Sequence, residues 1–306
     1  MRQYIIRKLL IAIPTMVGIS AIVFFAMAFA PGDPAELSLG DQATPGMVAQ
    51  LREEWGLNKP LVLQYLNFLK NSLRGDFGRS FRTGRPVVEE IFSRFPATAQ
   101  LAVGALMVSI FIGIPVGIIS AVKRYSIMDN LSMLVALLGV SMPVFWTGII
   151  LILFFAHYLN LFPTSGYGTL KHLILPSVTL GMASSAVIAR MTRSSMLEVL
   201  SQDYIRTAKA KGLREILIIT KHALKNALIP VITVVGIHVG VLLGGAVVVE
   251  TVFAWPGVGR LMVTSILARD YALVRAATLL IAAVFVTVNL IVDMLYGFLN
   301  PRITYR

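Results

Sequence analysis

Apolar residues in this chain neither alternate nor form narrow stripes; they continue through long stretches uninterrupted by charge. Residues 9–32, 95–122, 130–170, 172–189 and 226–249 contain no Asp, Glu, Lys or Arg, and 276–301 contain only Asp293. A helix needs about 20 apolar residues to cross the hydrocarbon of a bilayer, so each stretch is a candidate span. The stretch 130–170 is too long for one. Its second half carries Asn160, Pro163, Thr164, Ser165, Gly166 and Gly168, a loop composition, so it is read as one span over about 131–155 and a loop to about 172. Six spans result, and both termini fall on one side.

Two segments between spans have helical patterns of their own. Residues 31–95 form a long insert after the first span. Thr44 followed by Pro45 has the form of an N-cap and first helical residue, predicting a helix to about Trp55. Pro60 opens another, with Leu66, Leu69 and Leu73 at helical spacing and Gly75 to end it. This insert reads as a small cap packed on the membrane part, as a docking surface for an extracytoplasmic partner, or as both. Residues 190–226 are charged enough to leave the membrane and are expected to be helical throughout except near Gly212, where a sharp turn is allowed. Thr207, Ala208 and Ala210 predict a helix with a thin face, open to close approach by a partner. Leu213, Ile216 and Leu217 add an apolar patch.

Composition agrees with a membrane chain. Of 306 residues, 57% are hydrophobic and 14% charged, and the mean hydropathy is +0.79. This excludes a disordered chain and argues against a single soluble domain. The net charge of +12 would suggest nucleic acid on a soluble protein. Here topology explains it. With the N-terminus inside, segments 1–8, 123–130, 190–226 and 299–306 hold 15 basic and four acidic residues, while the outside segments are nearly balanced. Lys and Arg favour the cytoplasmic side, so both termini are expected in the cytoplasm and no nucleic-acid partner is expected. The first apolar run is too long for a cleaved signal. The chain has no cysteine, and its four histidines show no metal-ligand spacing on a helix face, so no metal site is expected.

Several polar and small residues lie at membrane depth. Gly236, Gly240 and Gly244 recur every four residues, as do Gly113 and Gly117. Such rows allow helices to approach closely, or line a pathway where helices slide. Asn289, Asp293, Tyr296 and Asn300 share one helix face. Asp293 is expected to face protein or water, as a tether to the loop arginines or at a substrate path. His238 reads as a hydrogen-bonded packing residue or part of a cavity wall, and Glu250 as a solvated or paired residue at the outer rim.

The loop carries a resemblance. Arg206-Thr207-Ala208 followed by Gly212 occupies the place of the EAA…G loop of bacterial ABC importer permeases. The stretch Asp203 to Gly212, followed by His222-Ala223-Leu224-Lys225-Asn226-Ala227-Leu228-Ile229-Pro230, resembles the dipeptide/oligopeptide/nickel branch. Arg206 stands where Glu is usual, and Lys225 where the motif's Pro would fall; both departures are typical of that branch. Further along the chain the resemblance rests on Pro31-Gly32-Asp33-Pro34, Trp55-Gly56-Leu57, Gly75-Asp76-Phe77-Gly78, Ser141-Met142-Pro143-Val144-Phe145-Trp146, Glu250-Thr251-Val252-Phe253 and Trp255-Pro256-Gly257-Val258-Gly259. The long insert resembles the first-named permease of the usual pair.

The resemblance implies an all-α integral membrane protein with the type I ABC importer permease (MetI-like) fold of six transmembrane helices. It implies a division into 1–30, the helical extracytoplasmic insert 31–95, and the core 96–306 containing the coupling loop 190–226. It implies a place in the bacterial cytoplasmic membrane. Its partners would be a paralogous second permease, two ATPase subunits and an extracytoplasmic substrate-binding protein. It also implies ATPase coupling through Asp203, Tyr204, Arg206, Thr207, Ala208, Lys209, Lys211, Gly212 and Leu213. The pathway candidates are Gly236, His238, Gly240, Gly244, Glu250, Asn289 and Asp293. The chain has no Gly-x-x-x-x-Gly-Lys-Ser/Thr, so ATP and Mg would reside on partner chains, with no cofactor on this one. Dipeptides, longer peptides, glutathione-like molecules and nickel chelates all remain open as cargo. The rival classes are an ion-gradient-driven secondary transporter, which needs several intramembrane acids, and a membrane enzyme, which needs a paired acid and base at depth.

Overall fold

A computed structural model describes residues 2–40 and 43–299, and the described residues are organised as helices. The helices are α1 (Arg2–Ala28), α2 (Pro34–Leu39), α3 (Pro45–Glu54), α4 (Leu61–Leu73), α5 (Val87–Val122), α6 (Ile127–Ser141), α7 (Val144–Leu151), α8 (Leu170–Leu200), α9 (Asp203–Ala210), α10 (Glu215–Leu217), α11 (Leu224–Val252), α12 (Val258–Leu267) and α13 (Tyr271–Leu299). Two π-helical stretches, Ile152–Tyr158 and Ile218–Ala223, extend α7 and join α10 to α11. Hydrocarbon offers no hydrogen bonds, so spanning segments must satisfy their own backbone, and helices do this. Among the described residues, five helical stretches are long and apolar enough to cross a membrane: Ile6–Ala28, Val87–Val122, Leu170–Leu200, Glu215–Val252 and Tyr271–Val292.

The expected third span departs from a single helix over 131–155. It is broken into α6 and α7, between which the chain bends by 110°. The cause is Pro143. A proline disfavours helical geometry in the residue before it, and Met142 is extended at φ −79°, ψ 134°. The pair is therefore a sharply bent sixth element. The helix expected through the start of the loop 190–226 is present. Helix α8 continues to Leu200, so the first third of the predicted loop 190–226 prolongs a spanning helix. The loop also breaks at Ser201–Gln202, as well as near Gly212.

The described residues divide into two compact units, Arg2–Ala97 with Pro256–Val286, and Thr98–Trp255 with 287–299. In the first unit the turn chemistry acts as read. Thr44 accepts from the Met47 N–H at 3.4 Å to cap α3, and Gly75, at φ 78°, follows α4. The short α2, which was not anticipated, is capped by Asp33 accepting from the Ala35 N–H at 3.0 Å. Helix α4 lies along α1: the Tyr65 hydroxyl bonds the Val17 carbonyl at 3.1 Å and the Ser20 hydroxyl at 2.9 Å. Part of the insert is thus packed on the first span. Val87 and Ile91 of α5, Val258 of α12, and Leu273, Ala276 and Ala277 of α13 form the core. Asp270 caps α13, accepting from the Leu273 N–H at 3.2 Å and from the Ser80 hydroxyl at 2.5 Å. Burial pushes its carboxyl above the usual range, and these two donors pull it back.

In the second unit α8 is the central helix. Its contact with α5 is built from small residues. A Cβ added at Gly113 would lie 2.7 Å from the Ser185 carbonyl oxygen, one at Gly117 2.5 Å from that of Ala189, and one at Gly181 2.6 Å from that of Ala105. The two backbones touch directly, so a larger residue has no flexible neighbour to displace. On α11, Gly236 meets Val292 of α13, Gly240 is buried, and Gly244 is exposed with open space around it. The Gly236 row is therefore a packing seam at one end only. Replacing Gly117 by Val is expected to destabilise the protein by about 1–3 kcal/mol through overpacking. Gly244→Ala is expected to leave the thermal midpoint of the detergent-purified chain nearly unchanged, and melting curves of the two variants check the contrast.

Candidate functional site

Helix α9 is short and strongly two-faced. Gly212, at φ 74°, closes it: its N–H donates to the Lys209 carbonyl at 2.9 Å, and the Leu213 N–H donates to that of Ala208 at 3.4 Å. Ile205 and Ala208, three apart, face inward at 0% and 7% exposure. They pack with Ala121 at the end of α5, Met196 of α8, and Ile218, Ala223 and Ala227 around the start of α11. One apolar cluster thereby ties α9 to three long helices. Tyr204 adds a polar tie, its hydroxyl accepting from Asn226 Nδ2 at 2.8 Å.

The remaining expected coupling residues, Asp203, Tyr204, Arg206, Thr207, Lys209, Lys211, Gly212 and Leu213, are exposed. Ala208 is the correction. It was expected on a thin face open to a partner, and it is instead packed into the protein; the thin outer face is left to Thr207 and Ala210. Ile205 was not singled out, though its i, i+3 relation to Ala208 is the helical signal of a buried stripe. Arg206 and Asp203 approach to 3.4 Å but are 75% and 95% exposed, so their pairing contributes little. Leu213, Ile216 and Leu217 are exposed as expected.

Beside this cluster lies a polar clamp that sequence reasoning missed. Asp129, in the first turn of α6, is 2% exposed. Arg193 of α8 donates to both of its oxygens, Nε to Oδ1 and Nη2 to Oδ2, each at 2.7 Å. The Ser120 hydroxyl of α5 and the Tyr125 backbone N–H also donate to it. Three helices meet at one carboxylate, within a few residues of Ala121 and Met196. Such forked guanidinium–carboxylate pairing is directional as well as strong. The only hint in sequence was one acid opening an apolar helix; its partner is 64 residues away.

The membrane-depth candidates go to different neighbours. His238 shares a 3.0 Å hydrogen bond with the Ser184 hydroxyl of α8, which fits the packing alternative. Glu250 is fully buried and accepts from the Thr98 hydroxyl of α5 at 2.6 Å. Its solvated alternative is thus replaced by the paired one. Asn289 is partly buried on α13. The Asp293 side chain and Asn300 lie outside the described residues.

Asp129→Asn keeps the shape but leaves Arg193 without its counter-ion. Breaking a buried pair this way costs about 3–5 kcal/mol, and the 24% exposure of Arg193 sets the expectation at the lower end. The paired change Asp129→Leu with Arg193→Met should recover most of that loss. Thermal melting of the three proteins in one detergent reads both effects.

Residues 113–305 match the family described as binding-protein-dependent transport system inner membrane component. Residues 1–102 match its N-terminal counterpart. The chain is 44% identical to a dipeptide transport system permease protein DppB of Alkalihalophilus pseudofirmus. It is 46% identical to a glutathione transport system permease protein GsiC of Pectobacterium atrosepticum. Both alignments cover all of both chains. Among solved structures it is similar to a chain of the MetNI methionine ABC transporter in an inward-facing conformation. The TM-score is 0.56 at 19% identity, over 69% of this chain and 96% of that one.

Proposed function

The chain belongs to the family of inner membrane components of binding-protein-dependent transport systems and is a permease subunit of an ABC importer; from this premise we propose that it carries dipeptides or short oligopeptides inward, driven through α9. The family is a multi-pass inner-membrane one, and such a permease works with ATPase subunits, a second permease and a binding protein. The finer proposal is that a paralogous permease forms the other half of the pathway. Two ATPases bind below, holding ATP and Mg, and the binding protein delivers cargo from outside. This chain hydrolyses nothing. Both termini are cytoplasmic, which follows from the excess of Lys and Arg in the inside segments.

The observation that carries the coupling reading is the division of α9 into two faces. Ile205 and Ala208 anchor it to the ends of α5, α8 and α11, while Asp203, Arg206, Lys209 and Lys211 project away. A helix held this way passes on a displacement from a soluble partner as a movement of the long helices, which is how packed elements switch between two arrangements. The peptide reading rests on the dipeptide relatives. Glutathione is the second reading, and one observation favours it: that relative aligns over 306 positions, the chain's own length, whereas the dipeptide ones take 333 and 338.

The test is uptake of labelled dialanine by cells whose only peptide importer contains this chain, with unlabelled glutathione as competitor. Saturable uptake resisting glutathione supports the peptide cargo; uptake displaced by equimolar glutathione supports the second reading. Gly212→Val forces a β-branched residue into a left-handed conformation at φ 74°, costing about 1–2 kcal/mol locally. Uptake is expected to fall several-fold while the amount of chain in the membrane is unchanged. Normal uptake by this variant would refute coupling through the α9 turn.

A further inference from the structure

At the end of α1 remote from Arg7 and Lys8, helices α1, α4 and α13 and the start of the insert enclose a partly open pocket of about 220 Å³. Phe24, Asp33, Arg52, Gln64, Tyr271 and Arg275 are among its walls. Its carboxylate is already engaged. Asp33 accepts from Arg52 Nε at 3.0 Å through one oxygen and from the Ala35 N–H through the other. Its second cation is not so engaged. Arg275 donates through Nε to the Tyr271 carbonyl at 3.2 Å, and its guanidinium lies 5.1 Å and 5.5 Å from the ring centres of Phe24 and Phe68. Among the described residues its two terminal nitrogens hold neither a hydrogen bond nor an ion pair. One turn earlier on the same face, Tyr271 is 4% exposed and its hydroxyl has no partner among the described residues.

This combination is costly unless something answers it. Ring contacts attract a guanidinium but do not satisfy its N–H groups. A partly buried cation with free donors favours an acceptor that is planar and negative, and the guanidinium fork matches an oxyanion in two-point contact. The walls carry one surplus positive charge once Asp33 is set against Arg52. The volume is below the roughly 300–1,000 Å³ of pockets that enclose whole drug-sized molecules, so it suits the anionic head of a ligand. We propose that this pocket binds a small oxyanion, with the Arg275 guanidinium as its principal donor and the Tyr271 hydroxyl as a second. On the orientation proposed above it opens on the extracytoplasmic side, where a soluble carboxylate, such as the end of a short peptide, and a lipid phosphate are the two sources of that chemistry.

The test is direct binding and does not depend on transport. The full-length chain, with the subunits that accompany it, is purified in an uncharged detergent. Carbon-13 relaxation of labelled acetate is then followed at constant ionic strength, with chloride as the balancing anion. Saturable broadening is expected, lost in Arg275→Gln and weakened at least three-fold in Tyr271→Phe. Repeating it in phosphatidylglycerol nanodiscs separates the sources: retained acetate binding identifies a soluble carboxylate, and its loss identifies the lipid headgroup, both within the proposed anion site. Absence of saturable broadening in detergent, or broadening unchanged in both variants, overturns the proposal. If Arg275→Gln does not fold, Tyr271→Phe decides alone.

Discussion

Hydrocarbon gives helices no reason to associate through apolar burial, because lipid is as apolar as a leucine side chain; what remains is close contact and the pairing of polar groups. The second compact unit depends on this. Gly113, Gly117 and Gly181 let α5 and α8 meet backbone to backbone, and dispersion over such a contact is large only because nothing intervenes. Three sets of polar side chains are joined across helices: Asp129 to Arg193 and Ser120, Glu250 to Thr98, and His238 to Ser184. Each link joins a different pair of long helices. The unit is thus a set of stiff rods connected at discrete points.

On the proposed coupling, the connection to function runs through the end of this set that carries α9. Ile205 and Ala208 commit one face of a short helix to the ends of α5, α8 and α11. The Asp129 clamp holds α5, α6 and α8 together a few residues away. Both devices lie where a force applied to α9 would enter the long helices. Gly212 then sets where the helix stops and the chain turns back, and its positive φ leaves little choice of residue.

Much of the architecture was legible because its causes are local. Long apolar runs mark spans, Thr44-Pro45 marks the start of α3, and Gly75 and Gly212 mark turns, each with a conformational reason that acts within a few residues. The misses have equally definite causes. Pro143 lies inside an apolar run, and counting span length alone hid its power to break the helix. The break at Ser201–Gln202 interrupts a stretch expected to be helical up to Gly212, and no glycine or proline there announced it. The inward turn of Ala208 needed the phase of an eight-residue helix, and the pairing of Asp129 with Arg193 needed tertiary proximity across 64 residues. Neither is carried by composition or by a short motif.

The central claim is that α9 presents one face to the protein and the other to the ATPase. The chain has no cysteine, so a single one introduced into it is unique within this subunit. Lys209→Cys and Ala208→Cys, adjacent in sequence but exposed and buried respectively, should be compared by cysteine crosslinking in native membranes. The account predicts that the cysteine at 209 joins this chain to an ATPase subunit and that the one at 208 does not. Equal crosslinking at both positions, or crosslinking at 208 alone, would contradict it.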